Sequence, residues 1–175
     1  MQLQRKQTTG VIMQGDGEES HETVGGVRLL ASADIVAAHE DWPQIWFSFA
    51  RHAWRSMVLV PAHPGLSVLG VARALADAGR TYEEPTLSLI EAERVSPSRV
   101  HGIIIEVRDR SALDQRTIIA VASPMEDNGA IPIIRGCDVG VLVIPLGETP
   151  MAAARRTLSV VGRGSFLGAI TVTSS

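Results

Sequence analysis

A chain of 175 residues, 45% of them apolar and 20% charged, is sized for one domain with a real core. Its formal net charge of −3 excludes a general nucleic-acid binder, and its single cysteine, Cys137, excludes an internal disulfide and a cysteine-rich zinc site. The most apolar stretch, 139–146, is far too short to cross a bilayer, and the polar N-terminus MQLQRKQTTG lacks the form of a signal peptide, so a cytoplasmic protein without direct membrane insertion is expected.

Residues 1–26 are polar and glycine-rich and carry the acidic cluster Asp16, Glu18 and Glu19. They read as a flexible arm ahead of a single α/β domain over 27–175. The segment 27–38 is apolar but ambiguous between strand and helix. Asp41 opens a helix to about Ala53, with Pro43 in the first turn, where a missing N–H costs nothing. Trp46 and Phe49 follow at helical spacing; with Trp54 they are expected to anchor either the core or a partner, and they are the interface candidates. The run 57–60 reads as a strand buried on both faces. A helix over 67–78 follows the loop 61–65, with Ser67 as N-cap and Gly79 as its stop.

The remaining elements alternate. Strands are expected at 87–90, 117–121, 139–144 and 166–172, and helices at 97–108 and 149–161, the second with Pro150 in its first turn. Such alternation implies crossover connections and a mainly parallel sheet flanked by helices. Ligands in such sheets bind beyond the carboxyl ends of the strands, which directs attention to the loops after Val60, Ile90, Val121 and Ile144. Arg155 and Arg156 read as a solvated helix face.

The loop after Val60 is the most informative. A strand, a turn containing Gly65 and a helix beginning at Ser67 form the geometry that attracts phosphate, because the free N–H groups and the dipole of the helix start both favour an anion. A working phosphate loop of the GxxxxGK[ST] type also needs a lysine for the β/γ-phosphates. This loop has none; the one lysine of the chain is Lys6.

From Trp42 onward, the order of elements resembles the bacterial tyrosine kinases attached to polysaccharide chain-length regulators, and their MinD/ParA-like P-loop ATPase relatives. Pro61-Ala-His-Pro-Gly65 is similar to the start of the family's phosphate loop, and Val71–Gly79 is similar to the helix after it; about four residues between them, including the GKS core, are missing. Leu89-Ile-Glu-Ala-Glu93 stands where the family has LIDAD. Ile118-Ile-Ala-Val-Ala-Ser-Pro124 puts Ala120 at an aspartate of the family. Cys137 to Thr149 resembles the fourth motif. The family's C-terminal tyrosine cluster is absent, since Tyr82 is the only tyrosine.

The resemblance implies a P-loop NTPase-like three-layer sandwich with strand order 2-3-1-4-5. It also implies a non-catalytic regulator or scaffold of exopolysaccharide biosynthesis and export. The expected partner is a membrane-bound chain-length regulator or another export component, which would hold the protein peripherally at the inner membrane; a homo-oligomer is also expected. No cofactor, metal, catalytic residue or nucleic-acid partner is expected, because losing the lysine and a metal carboxylate together removes anchors each worth about 10²–10³ in rate. His63, Gly65, Ser67, Glu91 and Glu93 are the candidates for a residual anion or nucleotide loop. Each has a plainer alternative: a turn and helix cap for Gly65 and Ser67, solvated charges for Glu91 and Glu93, an exposed loop histidine for His63. Two other functional readings stay open, an active MinD/ParA-like ATPase with an altered loop and a small hydrolase using Ser67, for which Gly65-Leu-Ser67 supplies half of a GxSxG elbow.

Overall fold

The computed structural model describes residues 11–13, 28–29, 41–147, 149–162, 164 and 166–174. Five strands, β3 (Ser56–Pro61), β4 (Ser88–Ala92), β5 (Thr117–Val121), β6 (Val139–Leu146) and β7 (Phe166–Ser174), form one parallel sheet in the order β4-β5-β3-β6-β7. This is the 2-3-1-4-5 order expected. Two short strands add to the β7 edge: β1 (Val11–Met13) is antiparallel to it and β2 (Arg28–Leu29) is parallel. β1 lies within the segment read as an arm, and β2 within the ambiguous segment 27–38; the other residues of both segments lie outside the described residues.

Strand residues alternate between two buried layers, as the two-residue period requires. Met57 and Leu59 of β3, with Ile118 and Ala120 of β5, face one layer. Helices α1 (Trp42–Ala50) and α2 (Leu69–Tyr82) close that layer. Val58, Val60, Ile119 and Val121 face the other, closed by α3 (Pro97–Ala112), α4 (Ala130–Gly136) and α5 (Met151–Val161). Helix α4 lies between the expected strands at 117–121 and 139–144, where no element is expected from the sequence. Pro132 is tolerated at the third helical position, where its N–H would have no intrahelical partner.

Two expectations are corrected here. Trp46, Phe49 and Trp54 do not form a docking patch: they are 0%, 0% and 2% exposed. Burial is the stronger use of such large side chains, each contributing roughly 1.5–3 kcal/mol. Trp46 and Trp54 meet edge to face with ring centroids 5.9 Å apart, and the Trp54 indole N–H donates to the Phe49 carbonyl at 3.0 Å. The aromatic of α1 that faces solvent is Phe47, beside Tyr82. Gly79 does not end α2 either. The helix runs three residues further, and Gly79 is buried where a Cβ would fall 2.6 Å from Leu87 and 2.8 Å from the Trp46 ring. A missing side chain there lets α2 pack closely, which a sequence alone does not separate from a helix stop. Among the described residues, no helix is long and apolar enough to cross a membrane.

Candidate functional site: the loop between β3 and α2

The site begins where β3 ends. Ala62 N–H still bonds the Val143 carbonyl at 2.9 Å, so the chain leaves the sheet only at His63. Gly65 has φ +79, a left-handed conformation that glycine adopts without strain, and it turns the chain toward α2. Ser67 and Val68 then lead into the first turn of the helix.

A parallel sheet brings the ends of β4 and β5 alongside this loop, and each contributes a carboxylate. Glu93, directly after β4, accepts from the Val68 amide at 2.6 Å, from the Leu69 amide at 3.0 Å and from the Ser67 hydroxyl at 2.9 Å. Glu126, after β5, accepts from the Gly65 amide at 2.9 Å. The N–H groups that a phosphate loop would aim at its ligand are thus bonded to the chain's own carboxylates. The Glu93 charge also sits on the positive end of α2, which the helix dipole favours, while Glu126 holds the turn before it.

The sequence candidates separate accordingly. Ser67 and Glu93 come together, although Ser67 is not itself the N-cap residue, which is Val68. Its hydroxyl supports the cap through Glu93 and lies 3.3 Å from the Leu69 amide. Gly65 joins the same loop through Glu126. Glu91 points elsewhere and pairs with Arg73 of α2 at 2.6 Å, with both side chains about half exposed. His63 Nδ1 lies 2.6 Å from the carbonyl of its neighbour Pro64, and neither nitrogen touches Ser67. Glu126 escaped the sequence reading. Its only signal was its place in the loop after Val121, one of those expected at the ligand edge.

Among the described residues, the loop from His63 to Val68 and the first turn of α2 carry no cationic side chain that could serve as the phosphate-loop lysine. Arg73, the basic residue of the first turns of α2, is held by Glu91. Ala120 is fully buried between Leu59 of β3 and Glu91 of β4 in the register, so no carboxylate occupies that position. Among the described residues, no group of three or more His, Cys, Asp or Glu side chains is placed to hold a metal ion. Asp138, an acid that a hydrolase reading could enlist, lies at the start of β6 and accepts from the amides of Arg55 and Ser56 at 2.7 and 2.8 Å. That is the amino-terminal end of the strands, opposite the end from which Ser67 follows, so it ties β3 to β6 instead.

No family model matches the chain, and no curated protein is significantly similar to it. Among solved structures, the chimeric protein CapA2B2 superimposes with a TM-score of 0.62, covering 86% of this chain and 94% of that one at 11% sequence identity. The domain has a P-loop NTPase-like fold. At this identity the likeness concerns architecture: a parallel sheet between two helical layers, with the loop after β3 at its centre.

Proposed function

We propose that this domain is a non-catalytic P-loop-like protein that acts through protein contacts as a regulatory or scaffolding component of bacterial exopolysaccharide biosynthesis and export. One observation carries the non-catalytic half: the Glu93 carboxylate occupies the start of α2 through Ser67, Val68 and Leu69. A triphosphate would have to displace that carboxylate and would meet Glu126 beside it, with no lysine in the loop to offset the repulsion. The pathway half is supported by the motif order that resembles the kinases of polysaccharide chain-length regulators, and its partner is such a regulator or another export component. A cytoplasmic protein held at the inner membrane by that partner follows from the same reading.

Isothermal titration with Mg-ATP tests the first half. No saturable binding is expected; binding tighter than about 10 μM, roughly −7 kcal/mol, would favour an active ATPase with an altered loop. Gene neighbourhood tests the second. Glycosyltransferases, an outer-membrane export protein and a chain-length regulator are the expected neighbours, and a cell-division or plasmid-partition setting would overturn the pathway.

A further inference from the structure

The two helical layers handle their arginines differently. In the layer of α1 and α2 and at the sheet edge below it, Arg73 pairs with Glu91, Arg80 with Asp77, Arg116 with Glu84 and Arg55 with Asp114, while Arg51 at the end of α1 is exposed and has no ion pair among the described residues. In the layer of α3, α4 and α5 only Arg110 is paired, with Glu106. Arg94, Arg99, Arg108, Arg135, Arg155 and Arg156 are all exposed, and none has an ion-pair partner among the described residues. The carboxylates nearby are Glu106 and Asp109 of α3, Glu126 and Asp127 before α4 and Asp138 after it, five against the seven arginines named here. A chain of net charge −3 therefore presents one predominantly basic layer. The same layer exposes Ile105, Met125 and Met151, at 42%, 37% and 69%.

Helices α3, α4 and α5 rest side by side on a single buried cluster, so these groups share one face of the sandwich. Arginine interspersed with exposed methionine is a combination that protein interfaces favour; a lipid surface selects basic residues together with inserted aromatics, and the apolar groups exposed here are aliphatic. The guanidinium fork also suits carboxylates in paired geometry. We infer that the α3–α4–α5 layer is an interaction surface for an acidic, partly apolar segment of a partner protein. The inference rests on the reading of this domain as a protein-contact module, and it adds the surface and the chemistry of the partner.

The test is fluorescence anisotropy with a labelled twelve-residue peptide that alternates glutamate with leucine and glycine, titrated with the full chain at low salt. The double variant R108E/R155E reverses two free arginines of the layer. The double variant R51E/R73E applies the same change of net charge to the other layer. Thermal unfolding confirms that both variants are folded. The expected result is peptide binding that weakens about tenfold in R108E/R155E and less than about twofold in R51E/R73E, and that weakens with added salt. No binding, or equal weakening by the two variants, would overturn the inference. So would tighter binding to phosphatidylglycerol vesicles that R108E/R155E abolishes, which would assign the layer to a membrane surface. Mg-ATP binding would sink the non-catalytic reading while leaving this titration interpretable, so the two failures are distinguishable.

Discussion

Glu93 and Val68, twenty-five positions apart, meet at 2.6 Å, with the carboxylate of one on the backbone amide of the other. A helix start ordinarily recruits its cap from the residue just before it. Here the cap comes from the end of a different strand, so it also fixes the angle at which α2 leaves the sheet.

Removing that carboxylate separates its effects. Glu93→Ala leaves the Val68 and Leu69 amides to water and is expected to cost about 2 kcal/mol, while Glu93→Gln keeps an acceptor oxygen without the charge and costs about half as much. Urea unfolding measures both. Because Ser67 bonds the same carboxylate, Ser67→Ala added to Glu93→Ala costs less than it does alone. Additive losses would show that the two side chains act independently.

What the sequence revealed follows from the range of the interactions involved. The buried runs 57–60, 117–121 and 139–144 announce themselves locally, because a strand covered on both faces is continuously apolar. Helix α3 was legible despite Gly102, since Val100, Ile103 and Val107 recur at helical spacing and are buried. The contact of Gly65 with Glu126 spans 61 residues, and nothing near either one signals it. The fate of Trp46 was equally hidden: helical spacing places it on one face of α1 and does not say whether that face meets α2 or a partner.

Gly79 pits propensity against packing. Alanine is favoured over glycine inside a helix by about 1 kcal/mol. The added methyl would stand 2.6 Å from Leu87 Cδ2 and 2.8 Å from the Trp46 ring, and both neighbours are buried in the core. Overpacking of this kind costs about 1–3 kcal/mol. Gly79→Ala is therefore expected to lower stability by about 1 kcal/mol net, read as a lower midpoint in urea. A rise in the midpoint would mean that α2 can shift away from α1 at little cost.

Arg116 links the start of β5 to the tryptophan cluster. Its guanidinium lies 4.7 Å from the Trp54 ring centroid and 5.9 Å from that of Trp46. It also donates to the Ala50 carbonyl at 3.2 Å and lies 3.6 Å from Glu84, with its side chain 14% exposed. Arg116→Ala is expected to cost about 2–3 kcal/mol and to shift tryptophan emission to the red as water reaches Trp54. Arg116→Lys keeps the charge and loses the planar stack and fork, so it falls between the two. A lysine variant as stable as the parent would show that charge alone matters there.

Cys137 gives the chain an alkaline limit. Burial, and then the Asp138 carboxylate, push its thiol from 9.0 up to about 12, and its S–H donates to the Ile133 carbonyl at 3.2 Å. In the unfolded chain the thiol ionises near its ordinary value, while in the folded chain it holds its proton. The unfolded state therefore releases a proton first, and this contribution to stability is full below about pH 9. Between about pH 9 and 12 it falls by roughly 1.4 kcal/mol per pH unit. Cys137→Ser does not titrate in that window, so its stability is expected to decline less steeply there, by urea unfolding at pH 8, 9.5 and 10.5. Parallel declines in the two proteins would show that the thiol ionises equally in both states. The native thiol is likewise expected to react with a disulfide reagent at pH 8 far more slowly than the unfolded chain does, since the thiolate is the attacking species.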